Sequence, residues 1–187
     1  MQSPVNFLSV EEYLLAEDKS EIRHEYLGGK TFAMAGASEE HNLIVGNIYT
    51  LLRPHLRGTT CRPFVSDMKV KVETEKIDIF YYPDILVTCD PQDNDRYVKT
   101  RPNLIVEVLS DSTKTTDRRE KLVNYQNLES LQEYVLVSQD EIKVEVYRQD
   151  AQRNWSVQTL GKGDDLKLNS VGLTLTMTDI YEDVFTF

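Results

Sequence analysis

Apolar residues recur at helical spacing near the start of the chain and then give way to two short strand-like runs. In the segment VEEYLLAE, apolar and acidic residues alternate at helical spacing. The preceding Ser9 forms a capping-box pattern with Glu12, so a helix is predicted over residues 9–17. Two short runs within residues 22–35 flank the pair Gly28-Gly29, an arrangement typical of a β-hairpin.

Two further helices are predicted downstream. One is predicted to begin at Ser38 and to end at Gly58, with Pro54 bending or shortening its last part. Its apolar residues recur three and four positions apart, at 44, 45, 48, 51, 52 and 56. The other is predicted over residues 117–129, after a polar turn at 111–116.

From residue 61 onward, the pattern changes to the two-residue period of β-strands. Strands are predicted at 68–73, at 77–88 with an interruption at Pro83, and at 104–109, which reads LIVEVL. A polar loop separates the last two. Further strands are predicted at 133–138, 142–148 and 154–160, followed by a polar link, a short strand and a last helical turn. Interleaved helices and strands, without a repeat or a long linker, predict a single α/β domain over residues 1–187.

The chain is acidic, with 31 Asp and Glu residues against 21 Lys and Arg residues and a formal net charge of −10. This balance argues against non-specific coating of nucleic acids, which depends on many cations that neutralise phosphates. Cys61 and Cys89 occur without a CxxC motif or cysteine-rich spacing, so neither a disulfide framework nor a zinc knuckle is predicted. No long apolar run or leader pattern is present, so a soluble, cytoplasmic protein without membrane contact is expected.

Glu107 and Asp84 are the leading candidates for chemistry. Glu107 lies in the aliphatic run LIVEVL, where an unpaired carboxylate is costly to bury, although a glutamate facing out from an edge strand fits the pattern equally well. Asp84 follows Pro83 and precedes the apolar run ILV. If the two strands pair, the carboxylates converge at one end of the sheet, and a divalent cation would relieve their repulsion. Oxygen ligands favour Mg²⁺ or Mn²⁺ over zinc.

Lys121 is the candidate cation for this site. It lies four residues after Asp117, so an ordinary ion pair on the surface of a helix is one interpretation. In the other interpretation, Lys121 reaches the carboxylates, orients or deprotonates a water and stabilises the charge of a phosphorane. Lys121→Met is then expected to leave stability nearly unchanged, since an exposed pair contributes about 0.3–0.5 kcal/mol. Cleavage is expected to fall by roughly 100-fold or more.

His41 and Glu25 are assigned to the lining of the same site. His41 shares the apolar stripe of the second helix with Val45, where a histidine is more often a hydrogen-bonded core residue than a ligand. Glu25 lies in the short run before the Gly-Gly turn, where a surface pair with Arg23 or Lys30 is the simpler interpretation.

The order of these motifs resembles the Uma-type restriction endonucleases, a family of the PD-(D/E)XK nuclease superfamily. The segments that carry the resemblance are HEYLGGK (24–30), His41 in a helix, YPDILV (82–87), PNLIVEVLSDST (102–113) and DRREKLVNY (117–125). The resemblance covers nearly the whole chain, from about residue 7 to 180. The combination of motifs is specific, although each motif alone is not.

The resemblance implies a restriction-endonuclease-like α/β core, in which a central mixed β-sheet is flanked by helices. It implies Mg²⁺ or Mn²⁺ bound by Asp84 and Glu107 at the end of the sheet. The superfamily pattern places the lysine at position 109, which is leucine in this chain, so the resemblance assigns that role to Lys121 on the following helix. The implied catalytic residues are Asp84, Glu107, Lys121, Glu25 and His41.

Three functions are open at this point. The first is a Mg²⁺-dependent endonuclease that hydrolyses DNA, as a homodimer by analogy with nucleases that cut both strands. The second is a non-catalytic nucleic-acid-binding or assembly module, which the acidic charge favours. The third is a small-molecule metal hydrolase, which predicts a closed apolar pocket instead of an open cleft lined with cations. Seven cations flank Glu107 and fit DNA contacts or solvated charges equally well: Arg96, Lys99, Arg101, Lys114, Arg118, Arg119 and Lys121.

Overall fold

Two large β-sheets and the helices packed against them build the protein. The computed structural model describes residues 7–110 and 114–185. The helices are α1 (Val10–Glu17), α2 (Glu39–His55), α3 (Lys114–Thr116), α4 (Leu122–Tyr125) and α5 (Met177–Ile180), with a π-helical turn (Asp117–Lys121) between α3 and α4. The strands are β1 (His24–Leu27), β2 (Lys30–Ala33), β3 (Arg62–Val65), β4 (Lys69–Glu73), β5 (Asp78–Tyr81), β6 (Ile85–Thr88), β7 (Val98–Lys99), β8 (Pro102–Leu109), β9 (Glu133–Ser138), β10 (Lys143–Gln149), β11 (Trp155–Gly161), β12 (Asp165–Leu168) and β13 (Leu173–Thr176). Within the described ranges, no helix combines the length and the apolar character needed to cross a membrane.

The strand order makes both large sheets mixed. The six-stranded sheet runs β11-β10-β9-β8-β6-β3, in which β8 and β9 are parallel and the other neighbours are antiparallel. The five-stranded sheet runs β2-β1-β5-β4-β7, in which β4 and β7 are parallel and the other neighbours are antiparallel. Strands β12 and β13 form a separate hairpin. Mixed sheets with flanking helices confirm the predicted α/β fold class.

The N-terminal helix and the hairpin form as the sequence predicts. The backbone N–H of Glu12 donates to Ser9 Oγ at 3.2 Å, and the N–H of Ser9 donates to Glu12 Oε2 at 2.8 Å, so α1 begins with a complete capping box. The turn between β1 and β2 places Gly28 and Gly29 at φ angles of 52° and 102°. This left-handed backbone explains why glycines occupy the turn.

Helix α2 covers the six-stranded sheet through its predicted apolar stripe. Ile44, Ile48 and Leu52 are at most 1% exposed and share one core cluster with residues of β8 and β9. The burial of each such side chain contributes roughly 1.5–3 kcal/mol. At the start of the helix, Ser38 Oγ accepts a hydrogen bond from the N–H of His41 at 3.2 Å. This cap fixes His41 in the first turn of α2.

The predicted strand 77–88 is two strands that belong to different sheets. Strand β5 lies in the five-stranded sheet and β6 lies in the six-stranded sheet. Pro83 lies between them and has no N–H group to donate to a ladder of hydrogen bonds, so the chain leaves one sheet there and enters the other. The prediction of one interrupted strand is therefore wrong. The crossing places Asp84 immediately before β6.

The third helix is shorter and less regular than predicted. Helical structure begins at Lys114, within the predicted polar turn, and residues 111–113 lie outside the described part of the chain. Residues Asp117–Lys121 form a π-helical turn, a rare winding that occurs often at functional sites. The side-chain amide of Asn127 donates to two carbonyl oxygens in α4, so the helix ends before residue 129.

Two short strands lie in segments that were predicted to be polar loops. Strand β7 pairs with β4 over only two residues. Strand β12 pairs with β13 and buries Leu166 and Leu168. Both strands are too short for the alternation of apolar and polar residues to stand out in the sequence.

Cys61 and Cys89 form a disulfide, so the expectation that the cysteines build no disulfide is wrong. The antiparallel pairing of β3 with β6 places Arg62 opposite Thr88. The next pair outward is Cys61 opposite Cys89, which brings the two side chains together. The register of two strands far apart in sequence creates this proximity, and cysteine spacing alone does not reveal it.

We predict that reduction destabilises the protein. The disulfide joins residues 28 positions apart, and the loss of such a cross-link costs about 2–4 kcal/mol of unfolding free energy because the unfolded chain gains freedom. A reductant should lower the urea concentration at the midpoint of unfolding. The double variant Cys61→Ser, Cys89→Ser should unfold at the lower midpoint with or without reductant. Equal midpoints for the reduced and oxidised wild type would contradict the disulfide.

Candidate active site

Asp84 and Glu107 lie side by side where β6 begins. Strands β6 and β8 are antiparallel with Ile85 opposite Val106, so Asp84 lies opposite Glu107 and both side chains project from the same face. The N–H of Asp84 donates to Glu107 Oε2 at 3.3 Å, and the N–H of Val108 donates to Asp84 Oδ2 at 2.7 Å. Strand pairing and main-chain hydrogen bonds therefore hold the two predicted carboxylates together.

Lys121 reaches this pair from the π-helical turn and is only 5% exposed. Its Nζ lies 3.0 Å from Glu25 Oε1, 3.1 Å from Glu107 Oε1 and 3.2 Å from Asp117 Oδ1. The hydroxyl of Tyr125 donates to the same Oε1 of Glu107 at 3.0 Å. One ammonium group thus contacts carboxylates from the hairpin, from the central strand β8 and from its own helical segment.

Asp117 and Lys121 form a buried pair, which changes the energetics expected from the sequence. Asp117 is 1% exposed, and its Oδ1 forms no hydrogen bond among the described residues, so this oxygen depends on the charge of Lys121. The loss of one partner from a buried ion pair costs about 3–5 kcal/mol, far more than the loss of an exposed pair. The exposed pair on which the expectation for Lys121→Met depended is therefore wrong, and a large loss of stability is predicted instead.

His41 contacts the carboxylate pair from α2. Its Nε2 lies 3.2 Å from Asp84 Oδ2, and its ring also bonds to the backbone of Val108. Burial lowers the pKa of His41, but the hydrogen bond and the charge of Asp84 outweigh burial and raise the pKa above its ordinary value. His41 is thus a hydrogen-bonded, partly buried histidine whose partner is a candidate metal ligand.

The carboxylates of the site favour the charged form of Lys121. Burial raises the pKa of Glu107 well above its ordinary value; Lys121 opposes this effect, and the neighbouring carboxylates add to it. Burial lowers the pKa of Lys121, but the three surrounding carboxylates outweigh burial and hold this pKa well above its ordinary value. These carboxylates favour the ammonium form of Lys121, which can stabilise negative charge.

All five predicted residues line one cleft with a volume of about 790 Å³. The ionisable residues of its lining are Glu25, His41, Asp84, Glu107, Asp117, Glu120 and Lys121, together with Tyr82. The segment 32–38, which includes the end of β2 and the link to α2, contributes mainly apolar side chains to the lining. The described part of the cleft is therefore acidic and apolar, and the cation-lined groove considered for a nuclease is not formed there.

Asp117 and Tyr125 belong to the cluster, although the sequence did not single them out. The sequence suggested a surface ion pair for Asp117, and it contained Tyr125 as the last residue of the motif DRREKLVNY. The available signal was the spacing of four residues on either side of Lys121, which places all three on one stripe. The spacing alone does not show that this side of the helical segment is buried against β8.

Besides Lys121, at least three of the cations that flank Glu107 in the sequence are bound by groups of the chain itself. Lys99 is 5% exposed, and its ammonium group donates to two carbonyl oxygens of the preceding loop. It is therefore neither a solvated charge nor a DNA contact, the two roles that the sequence suggested. Arg101 and Arg118 each pair with a carboxylate outside the cleft, at 2.8 Å and 2.9 Å.

We predict that Lys121→Met lowers the unfolding free energy by about 3–5 kcal/mol at pH 7, because buried carboxylates lose their cation. Urea unfolding measures this loss. Lys71→Met is the matched control, since Lys71 also pairs with two carboxylates but near the surface, and it should cost at most about 1 kcal/mol. The addition of Glu25→Gln to Lys121→Met should restore part of the loss. Similar losses for Lys121→Met and Lys71→Met would contradict the buried cluster.

Comparisons with known proteins place the chain in a family. Residues 10–178 match the family model Uma2, which is described as "Putative restriction endonuclease". Two proteins of Synechocystis sp. are similar along most of their length. "Uncharacterized protein slr1290" is 36% identical over 181 residues, which cover 96% of this chain and 94% of that protein. "Uncharacterized protein sll1609" is 34% identical over 157 residues, which cover 82% of this chain and 87% of that protein.

A solved structure shares the fold. The crystal structure described as that of a "putative nuclease belonging to DUF820 from Anabaena variabilis" matches with a TM-score of 0.77 at 17% identity, over 95% of this chain and 99% of that chain. This likeness confirms the predicted architecture of a mixed sheet with flanking helices. The family model spans most of the chain and confirms the resemblance seen in the motifs: the chain belongs to the Uma2 family.

Proposed function

We propose that this protein is a metal-dependent endonuclease that hydrolyses phosphodiester bonds of DNA. The observation that carries the proposal is the buried Lys121, whose Nζ lies 3.1 Å from Glu107 Oε1 beside Asp84. Two carboxylates next to a fixed cation are the groups that phosphodiester hydrolysis needs to hold a metal and to stabilise developing charge. Membership of a family described as "Putative restriction endonuclease" supports the same reaction.

The donor chemistry of the site fits Mg²⁺ or Mn²⁺. Among the described residues, the contacts of Asp84 with Val108 and His41 both use Oδ2, so Oδ1 is available as a metal ligand beside Glu107. Among residues 7–110 and 114–185, no three His, Cys, Asp or Glu side chains form a ready metal-binding group. Asp84 and Glu107 would therefore hold the ion together with water and a substrate phosphate, an arrangement usual for Mg²⁺. A bound ion would polarise the phosphate and lower the pKa of a water.

The remaining side chains stabilise charge or hold other groups in position. Lys121, fixed as an ammonium group, would stabilise the negative charge that develops on the phosphate oxygens during hydrolysis. Glu25 and Asp117 hold this ammonium group in place from two different elements. His41 contacts Asp84 Oδ2 and acts as a positioning residue for that carboxylate.

The substrate and the assembly follow from the same reaction. We propose DNA as the substrate, in line with the description of the family. A symmetric homodimer would present two active sites of opposite orientation, one for each strand of a duplex.

A non-catalytic nucleic-acid-binding or assembly module is the second candidate. One observation favours it: the chain carries a net charge of −10, and at least four of the cations around Glu107, including Lys121, are engaged within the chain. Over long distances the protein therefore repels phosphates, which disfavours a nucleic-acid substrate. Such a module would bind a partner without turnover, so the two candidates differ in cleavage.

We predict that Mn²⁺ or Mg²⁺ raises the melting temperature of the protein. Binding to the folded state at 100 times the dissociation constant adds about 2.7 kcal/mol of stability. Asp84→Asn and Glu107→Gln should lose most of this shift because each removes a charged donor. Glu145→Gln is the matched control, since the side chain of Glu145 is 14% exposed, near the 17% of Asp84, and does not line the cleft. A full shift in Glu107→Gln would place the metal elsewhere.

We predict that the wild-type protein cleaves DNA in Mg²⁺ or Mn²⁺ and that Asp84→Asn reduces the rate by at least about 100-fold. Even the loss of an outer partner of a metal ligand typically costs 10–100-fold, and an asparagine at this position keeps the size and the carbonyl oxygen needed to accept from the N–H of Val108. Glu145→Gln should cleave at the wild-type rate. A folded, metal-binding wild type that cleaves neither duplex nor single-stranded DNA would favour the non-catalytic module.

A further inference from the structure

A run of six apolar residues lies exposed beside the candidate active site. Residues 32–37 read Phe-Ala-Met-Ala-Gly-Ala, all are exposed, and all line the cleft. Phe32 and Met34 are the large side chains of the run and are 51% and 37% exposed. Exposed apolar surface of this kind is disfavoured in water unless a ligand or a partner covers it.

The strand register places Phe32 on the face that carries the site. In the antiparallel pair β1–β2, Phe32 lies opposite Glu25, so the two side chains project from the same face, about 5 Å apart at their Cβ atoms. Glu25 contacts Lys121 at 3.0 Å, and Lys121 contacts Glu107. Only the side chain of Glu25 therefore lies between Phe32 and the ammonium group of Lys121, which we propose stabilises the phosphate.

Residues 32–37 form an apolar wall of the cleft. The chemistry of this wall fits the face of a nucleobase better than a phosphate backbone. Phosphate contacts come from cations and hydrogen-bond donors, whereas the side chains of residues 32–37 offer neither. An aromatic ring on a strand stacks well on the flat, uncharged face of a base, whatever the base. In a duplex these faces are covered by neighbouring base pairs, so a ring at this position can be used only by an unpaired base.

We propose that Phe32, supported by Met34, stacks on an unpaired nucleobase beside the scissile phosphate, so that the cleft takes single-stranded or locally unpaired nucleic acid. This inference rests on the proposed nuclease function and adds the class of substrate to it. A second copy of the chain is the competing occupant, because β2 is the edge strand of its sheet. The position of Phe32 on the cleft face with Glu25 favours the nucleobase.

The single tryptophan of the sequence, Trp155, permits a direct test of stacking. In a Trp155→Phe background, Phe32→Trp places the fluorophore in the cleft, and Tyr97→Trp places it at an exposed aromatic position that does not line the cleft. The probes are a short oligothymidylate and a blunt duplex of equal length, titrated in Ca²⁺, which takes the same oxygen ligands as Mg²⁺. We expect the oligothymidylate to quench the tryptophan at position 32, and neither probe to quench the one at position 97.

The contribution of the ring is measured by binding affinity with the same probes. Phe32→Ala should weaken the binding of oligothymidylate roughly tenfold or more, the scale of one lost base–aromatic stack. Phe32→Tyr should keep the affinity, and Phe32→Leu should lose most of it because an aliphatic side chain cannot stack. Tyr97→Ala should bind as the wild type does. Thermal unfolding verifies that each variant is folded, which we expect because position 32 is half exposed.

The outcomes separate this inference from the nuclease proposal. If the protein cleaves DNA while Phe32→Ala and the wild type bind and cut both probes equally, the stacking role is wrong and the nuclease function stands. If the protein neither binds nor cleaves any nucleic acid, both proposals fall together. If Phe32→Ala instead abolishes a dimer in light scattering and leaves nucleic-acid affinity unchanged, the wall is an interface between two copies and the inference is overturned.

Discussion

The ammonium group of Lys121 is the contact on which the candidate site depends. It is almost fully buried and lies within 3.2 Å of carboxylates from β1, β8 and the π-helical turn. Burial of an unpaired charge is costly, so neither the lysine nor the carboxylates could occupy these positions alone. The pairing therefore ties three elements that are distant in sequence to one point, and the reactive groups are held by the same interaction that stabilises the fold there.

The crossing of the chain at Pro83 supplies the other half of this geometry. Strand β5 continues the sheet that carries the hairpin and Glu25, whereas β6 pairs with β8 and sets Asp84 opposite Glu107. The change of sheet at Pro83, which has no N–H group to donate to a neighbouring strand, thus brings acidic residues of both sheets to one cleft. Helix α2, which is capped by Ser38, places the ring of His41 in contact with Asp84 from the other side of the six-stranded sheet.

Local patterns predicted most of the elements, and distant contacts account for what they missed. Capping residues, the Gly-Gly turn and the two-residue period located α1, the hairpin and the central strands. The motifs identified five of the residues that line the cleft. The sequence could not show that Asp117 is buried, because this depends on how the helical segment packs against β8. Nor could it show that Cys61 faces Cys89, because this depends on the register of two strands far apart along the chain. The partners of the cations near Glu107 could not be predicted either, because proximity in sequence does not show which oxygen a side chain contacts. Lys99 is an example, since its ammonium group donates to a backbone carbonyl of the preceding loop.

The excess of carboxylates constrains how an acidic protein could act on a polyanion. Glu25, Glu107 and Asp117 share the single charge of Lys121, and Asp84 adds another negative charge beside them. The cluster would therefore repel a phosphate until Asp84 and Glu107 share a divalent cation. Under the proposed function, recognition divides between two kinds of contact: a cation held by the carboxylates for the phosphate, and the apolar wall around Phe32 for a base. This division removes the need for the basic groove that the sequence composition already made difficult to build.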